Sequence, residues 1–164
     1  MAASDLLTIV ARRLYSRAMS RGSETSVPVQ SGALAYRRKR SKKAEVLLVT
    51  GRRSGRWMIP KGWPMAGKSL SDSAAQEAFE EAGIKGKIQR EAIGTFRHTK
   101  QHILFGEIEV DIHVHVLAVE KELGDWPERG ERTRKWFKIE EAAERVDSAE
   151  LRALIVQFGK KLNP

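Results

Sequence analysis

The chain has 164 residues, which suits one domain with a real hydrophobic core and is short for two. It contains no apolar run near the roughly 18 residues of a membrane span, and the absence of cysteine excludes disulfides and cysteine-ligated zinc or iron–sulfur sites. Thirty Lys and Arg against twenty-one Asp and Glu give a formal net charge of +9, which predicts attraction to nucleic acid, phosphorylated metabolites or an acidic membrane surface.

The first 27 residues are predicted to form a basic amphipathic helical extension to a single domain over residues 28–164. Apolar residues recur there at helical spacing with arginines between them, and Gly22 ends the pattern. We favour packing of this helix on the domain or on a partner subunit, so that a homodimer is one possible form. A membrane-surface or targeting helix is the alternative.

Three short strands are predicted next, over residues 29–36, 45–50 and 57–59. The first two are joined by the sequence RRKRSKKA, which is so highly charged that it indicates a solvated hairpin loop. The third strand ends at Pro60, because proline cannot donate a hydrogen bond to a neighbouring strand.

The first helix is predicted over residues 69–82. Ser69 or Ser71 supplies an N-cap hydroxyl, and Gly83 suits the left-handed position that follows a last helical turn. Both ends of this helix are therefore marked by residue types that favour helix termini.

The clearest alternation of apolar and polar residues covers residues 108–116 and predicts a long half-buried strand. Further strands are predicted within residues 87–99 and from residue 134, followed by helices over residues 139–146 and 148–158. The predicted fold is a mixed sheet flanked by helices, which is α+β in class or a three-layer α/β/α sandwich.

Three carboxylates lie close together in the sequence QEAFEEAG, at Glu77, Glu80 and Glu81. At about 100° per residue they fall within roughly one third of the helix circumference, and small residues occupy the opposite side. Like charges at this spacing disfavour a bare helix, whereas a hard divalent cation such as Mg²⁺ favours clustered carboxylate oxygens. Any bound metal must use oxygen or imidazole ligands, since the chain has no cysteine.

The spacing from Gly62 to Ile84 resembles the Nudix box, whose pattern is Gly, five residues, Glu, seven residues, then Arg-Glu-apolar-x-Glu-Glu-x-Gly-apolar. The spacing is intact over the whole box. Two positions depart from the pattern, because Lys68 stands where the family usually has Glu and Gln76 stands where it has Arg. The resemblance implies a Nudix fold and a metal-binding carboxylate stripe.

Over roughly residues 29–145 the chain also resembles the diphosphoinositol polyphosphate phosphohydrolase branch of the family, which includes diadenosine polyphosphate hydrolases. The matching segments include EVLLV, EEAGIKGK, IGTF, DW and RKWFKIE. This resemblance implies hydrolysis of a phosphoanhydride in a highly anionic diphosphoinositol, diadenosine polyphosphate or nucleoside-diphosphate-type substrate, with Mg²⁺, or alternatively Mn²⁺, and water.

The same resemblance implies roles for the three carboxylates. Glu77 and Glu81 are expected to bind the first metal ion, while Glu80 binds a second ion or deprotonates the attacking water. A further carboxylate from a later loop is common in the family, and the candidates left open are Glu107, Glu120 and Glu122.

Basic residues near the predicted box are candidates for binding substrate phosphates, since arginine can clamp phosphate through two hydrogen bonds. The substrate-binding candidates are Arg52, Arg53, Arg56, Lys61, Arg97, Arg132 and Arg134, with His98 and Lys100 beside Arg97. Trp126 and Trp136 suit stacking on an adenine, but aromatic residues at strand ends more often pack in the core.

Two other functions remain open at this level. The departures at Lys68 and Gln76, together with the net charge, suit a catalytically weak Nudix domain that binds nucleotide or RNA. Removal of pyrophosphate from RNA 5′ ends is the other, although RNA is not the partner we favour. A small-molecule polyphosphate and a cytoplasmic location are expected.

Overall fold

The computed structural model describes residues 27–40 and 43–163. Within this part of the chain it contains seven strands and three helices. In chain order they are β1 (Val29–Arg37), β2 (Glu45–Thr50), β3 (Trp57–Met58), β4 (Lys61–Gly62), α1 (Leu70–Ala82), β5 (Ile84–His102), β6 (Gly106–Glu122), β7 (Arg134–Lys138), α2 (Ile139–Arg145) and α3 (Ala149–Leu162).

The strands form one mixed sheet with the order β3-β2-β1-β6-β5, to which β4 adds by pairing with β1 and β7 by pairing with β2. Strands β1 and β6 run parallel, and the other pairs are antiparallel. The long β5–β6 hairpin is interrupted by register shifts between Lys85 and Gly86 and around Ala92. These irregularities let one pair of strands bend while it stays in the sheet.

Helices cover both faces of the sheet. Alanines of α1 pack against Leu47 and Val49 on one face, whereas α2 and α3 pack against Leu34, Val46 and Leu48 on the other. Because side chains alternate along a strand, consecutive buried residues of β2 serve two separate cores. The predicted three-layer mixed-sheet architecture is confirmed.

Most predicted elements are confirmed, with shifted ends. The strand predicted within residues 87–99 runs over residues 84–102, and the last helix continues to Leu162. The predicted N-terminal helix lies outside the described residues, apart from residue 27. None of the helices in the described ranges is long and apolar enough to cross a membrane.

Candidate functional site

Helix α1 has well-defined ends that set the position of its carboxylates. The Ser69 hydroxyl accepts a hydrogen bond from the Asp72 amide at 3.0 Å, and Gly83 follows the helix with φ of 62°. The predicted caps are therefore confirmed, with Ser69 rather than Ser71 as the N-cap.

Small residues on α1 let the helix lie close to the sheet. Ala74, Ala78 and Ala82 are fully buried, and the approach brings Glu81 to 6% exposure. Glu77 lies against the backbone of β4, where a side-chain carbon on Gly62 would overlap its carboxylate. The carboxylate stripe therefore faces β4 at the sheet edge, and the glycine that begins the box leaves space for one of its members.

Cations from other segments surround these carboxylates. The Arg132 guanidinium lies 3.1 Å from Glu81 Oε1 and 3.1 Å from Glu128 Oε2, and it also donates to the Thr50 carbonyl at 3.1 Å. The Lys61 backbone amide donates to Glu81 Oε2 at 3.4 Å. The side chains of Lys61 and Lys100 also interact electrostatically with Glu81.

Burial changes the acid–base properties of this cluster. Desolvation, followed by repulsion from Glu81 and Glu80, raises the pKa of Glu77 to about 8. Desolvation also raises the pKa of Glu81 to about 7, although Arg132 acts in the opposite direction. The pKa of Lys61 is lowered to about 8 by desolvation and by Lys100. Both signs of charge are thus held in a poorly solvated space.

The two departures from the family pattern lie on α1 or just before it. Gln76 Nε2 donates to Glu80 Oε1 at 2.8 Å, one helical turn along. Lys68 lines a shallow groove together with Gln76, Phe79 and Lys85. A neutral amide therefore orients Glu80 where an arginine is usual, and the cations that interact with Glu81 are Lys61, Lys100 and Arg132.

Three of the predicted phosphate-binding residues belong to this cluster. Lys61 and Arg132 lie beside Glu81, and Arg52 contacts Glu128 at 3.5 Å and Glu131 at 3.2 Å. Arg53, next to Arg52, is exposed to solvent.

Three other candidates have different partners. Arg56 pairs with Asp147 at 3.2 Å. Arg97 pairs with Asp111 at 2.9 Å and Glu109 at 3.5 Å. Arg134 donates to backbone carbonyls that include Ala82 at 2.7 Å. A role for these three in substrate binding stays a prediction, and their contacts give it no support.

The carboxylate that joins the cluster from a later segment is Glu128. Of the three residues considered from the sequence, Glu120 pairs with Lys87, Glu122 with Arg37, and Glu107 accepts from Gln101. Glu128 lies in the segment after β6, and the sequence offered no local signal for it except a cluster of charges after Trp126 and Pro127. Its proximity to Glu81 arises from the fold.

The donor set suits a hard divalent cation. Glu77, Glu80, Glu81 and Glu128 offer carboxylate oxygens, and desolvation raises the pKa of Glu77 and of Glu81. Within residues 27–40 and 43–163, no three His, Asp or Glu side chains are already arranged as a closed metal site.

Comparison with known proteins matches this architecture. The NUDIX domain family model covers residues 28–157. Nudix hydrolase 21, chloroplastic, of Arabidopsis thaliana is 31% identical over 131 residues, which are 77% of this chain and 64% of that protein. Diphosphoinositol polyphosphate phosphohydrolase 3-beta of Bos taurus is 34% identical over 116 residues, which are 69% of this chain and 65% of that protein.

The chain thus spans slightly less than two thirds of the length of these two curated relatives. Among solved structures, an Ap4A hydrolase of C. elegans superimposes with a TM-score of 0.61 at 24% identity, over 84% of this chain and 99% of that one. The resemblance predicted from residues 62–84 is confirmed, and the chain belongs to the NUDIX domain family.

Proposed function

We propose that this protein hydrolyses a phosphoanhydride bond in a small, highly anionic polyphosphate, with a divalent metal ion. The observation that carries the proposal is the partly buried cluster in which Glu77, Glu81 and Glu128 lie among Lys61 and Arg132. A protein retains such a cluster at a cost in stability, so the cluster is a strong candidate for a functional site. The carboxylates provide metal ligands, and the cations provide partners for phosphate oxygens.

The carboxylates and the cations of the cluster have different proposed roles, in metal binding and in phosphate binding respectively. Glu77, Glu81 and Glu128 would hold the cation, preferably Mg²⁺ because every donor is a carboxylate oxygen, with Mn²⁺ as an alternative. When bound, the metal neutralises phosphate charge and makes water a better nucleophile.

The remaining steps fall to nearby side chains. Lys61 and Arg132 bind and orient the phosphates from inside the site, and Arg52 binds them from its rim. We assign Glu80 to take the proton of the attacking water, because Gln76 fixes its carboxylate through Oε1. The departure from arginine at position 76 is therefore compatible with catalysis.

The substrate class follows from charge and from the names of relatives. One similar protein is named as a diphosphoinositol polyphosphate phosphohydrolase, and a protein of the same fold as an Ap4A hydrolase. Both names describe compounds rich in phosphate, which suits the cationic side of the cluster and the net charge of +9. We propose diphosphoinositol or diadenosine polyphosphates as the substrates to test first.

A substrate panel tests this function. Cleavage products would be separated by anion-exchange chromatography after incubation with diphosphoinositol pentakisphosphate, diadenosine tetraphosphate, a nucleoside diphosphate sugar and 5′-triphosphorylated RNA, each with Mg²⁺ and with EDTA. We expect turnover of at least one of the first two. Replacement Glu81→Gln is expected to lower that rate by about 10³-fold, a loss typical of a removed catalytic carboxylate.

Glu141→Gln is the matched control, since Glu141 is an exposed carboxylate on α2. It should turn over substrate like the wild type. The hydrolase proposal fails if no compound is cleaved at high enzyme concentration or if Glu81→Gln retains full activity. Tight, salt-dependent RNA binding without cleavage would instead favour a binding domain.

A further inference from the structure

The C-terminal end of α1 is capped almost entirely by one distant segment. A helix leaves the carbonyls of its last turn without intrahelical partners. Here the Phe79 carbonyl accepts from the Gly83 amide, whereas the next three and the carbonyl of Gly83 itself accept hydrogen bonds from a segment formed by residues 123–134, which we call the capping segment. The pairs are Glu80 with the Glu128 amide at 3.0 Å, Glu81 with Trp126 Nε1 at 3.2 Å, Ala82 with Arg134 Nη1 at 2.7 Å, and Gly83 with the Leu123 amide at 2.8 Å.

Arg134 and Trp126 form the centre of this cap. Helix α1 has no basic residue in its last turn, so Arg134 supplies from outside the positive charge that a helix C-terminus favours. Its guanidinium lies 3.9 Å from the centre of the Trp126 ring and also donates to the Leu123 carbonyl at 2.9 Å. A side-chain carbon on Gly83 would overlap the same ring, so the glycine lets Trp126 lie directly against the helix end.

The residues between Trp126 and Arg134 include two members of the charged cluster. Glu128 joins α1 through its backbone amide, and Arg132 joins it through the ion pair with Glu81 at 3.1 Å. Both ends of this stretch are attached to the helix by the cap. The distance between Glu128 and the carboxylates of α1 therefore depends on the hydrogen bonds of Trp126 and Arg134.

We propose that Trp126 and Arg134 are positioning residues, which hold Glu128 and Arg132 against the carboxylates of α1 by capping that helix. The consequence for metal binding rests on the proposed function. Arg134 then acts by holding the capping segment against α1, instead of through the substrate contact predicted from the sequence. Trp126 acts in the same way, instead of stacking on an adenine.

Two replacements test this role. Trp126→Phe keeps an aromatic ring beside Gly83 and removes the donor to the Glu81 carbonyl. Arg134→Lys keeps the charge and loses the planar group that reaches several carbonyls. Arg129→Lys is the matched control, because Arg129 lies in the same segment, 5.8 Å from the same ring, and pairs with Asp125.

Two quantities are measured. The first is hydrogen exchange at the Glu128 amide, and the second is Mn²⁺ affinity, which the electron paramagnetic resonance signal of the free ion reports. Arg134→Lys and Trp126→Phe should each speed exchange at Glu128 and weaken Mn²⁺ binding by about tenfold, as replacement of residues that orient ligands does. Exchange in α3 should stay at the wild-type rate, which separates a local loss of position from global unfolding. Arg129→Lys should match the wild type in all three respects.

Wild-type Mn²⁺ affinity in both replacements would overturn the inference, even if exchange at Glu128 became faster, because the cap would then be purely structural. If Arg134→Lys does not fold, Trp126→Phe decides the question alone. A wild-type protein that binds Mn²⁺ but cleaves no substrate overturns only the proposed function. A wild-type protein that does not bind Mn²⁺ overturns both.

Discussion

Two clusters in this molecule each pair one arginine with two carboxylates, but they shift the carboxyl pKa in opposite directions. At the end of α1, Arg132 bridges Glu81 and Glu128, and its side chain is only 10% exposed. On the β5–β6 hairpin, Arg97 pairs with Asp111 and Glu109 in the open, with 46% of its side chain exposed. The ion-pair distances are similar, at 3.1 Å in the first cluster and from 2.9 to 3.5 Å in the second.

The pKa values separate the two clusters. The hydrogen bond from Arg97 lowers the pKa of Asp111 below its ordinary value, whereas desolvation raises the pKa of Glu81 to about 7 despite Arg132. Water screens the exposed pair and solvates each partner, so it contributes little to stability. The buried carboxylate keeps an affinity for protons, and by the same physics for metal cations. Burial, rather than residue type, distinguishes the candidate site from the exposed cluster.

The pH dependence of metal affinity tests this difference most strongly. A metal ion requires deprotonated Glu77 and Glu81, whose pKa values are about 8 and about 7. Mn²⁺ affinity should therefore fall by more than about 10²-fold between pH 8 and pH 6, with proton release on binding. Calorimetry in buffers of different ionisation enthalpy measures both quantities. An affinity that does not change over this range would contradict the assignment.

Removal of the Glu128 carboxylate should have the next largest effect, on kcat/KM. Glu128→Gln is expected to lower kcat/KM by between about 10-fold and 100-fold, because it removes a carboxylate from the proposed metal site. Glu109→Gln makes the same chemical change in the exposed cluster and should leave kcat/KM unchanged. Steady-state kinetics on the best substrate decides, and equal effects of the two replacements would erase the distinction between the clusters.

The half-buried Lys61 should matter more for substrate affinity than an exposed lysine. Lys61→Gln removes a cation that lies beside Glu81, and we expect KM to rise by about tenfold or more, as for a lost charged hydrogen bond. Lys87→Gln is the control, because Lys87 is 84% exposed and pairs with Glu120. A similar KM for the two variants would show that Lys61 does not bind phosphate.

Replacement of Glu77 should raise the stability of the metal-free protein at high pH, although it is expected to lower activity. The pKa of Glu77 is raised from 4.5 to about 8 in the folded protein, so the stability contributed by its protonated form is present below pH 4.5 and lost as pH rises through 8. At pH 9 without metal, Glu77→Gln should increase the free energy of unfolding by about 1–3 kcal/mol, since a buried charge is removed.

Chemical denaturation of metal-free wild type and Glu77→Gln at pH 5 and pH 9 measures this change. The increase should be smaller at pH 5, where the wild-type carboxyl is mostly protonated. A loss of stability at pH 9 would mean that the Glu77 charge is well compensated by its neighbours.

The smallest effect is expected at the exposed cluster. Arg97→Gln should leave both the melting temperature and kcat/KM unchanged within error, because solvent replaces the lost ion pairs. Thermal melts and the same kinetic assay check this. A large rise in KM would restore Arg97 to the substrate-binding residues predicted from the sequence.

The sequence predicted the parts of the site that lie close together in the chain. The caps of α1 and its carboxylate stripe follow from spacing within residues 69–83, because helical geometry relates those positions directly. The arginines were less predictable. Arg97, Arg132 and Arg134 have the same chemistry in the sequence, and their partners are respectively exposed carboxylates, buried carboxylates and helix carbonyls.

The sequence by itself determined the family, the order of the elements except the short β4, and the identity of the three clustered carboxylates on α1. These depend on local periodicity and on short-range spacing. Only the tertiary structure decided that Glu128 joins the cluster, that Arg132 pairs with Glu81 and Glu128, and that Arg134 caps α1. These residues contact α1 because the chain after β6 packs against the end of that helix. Burial at this contact sets the pKa values on which the proposed chemistry depends.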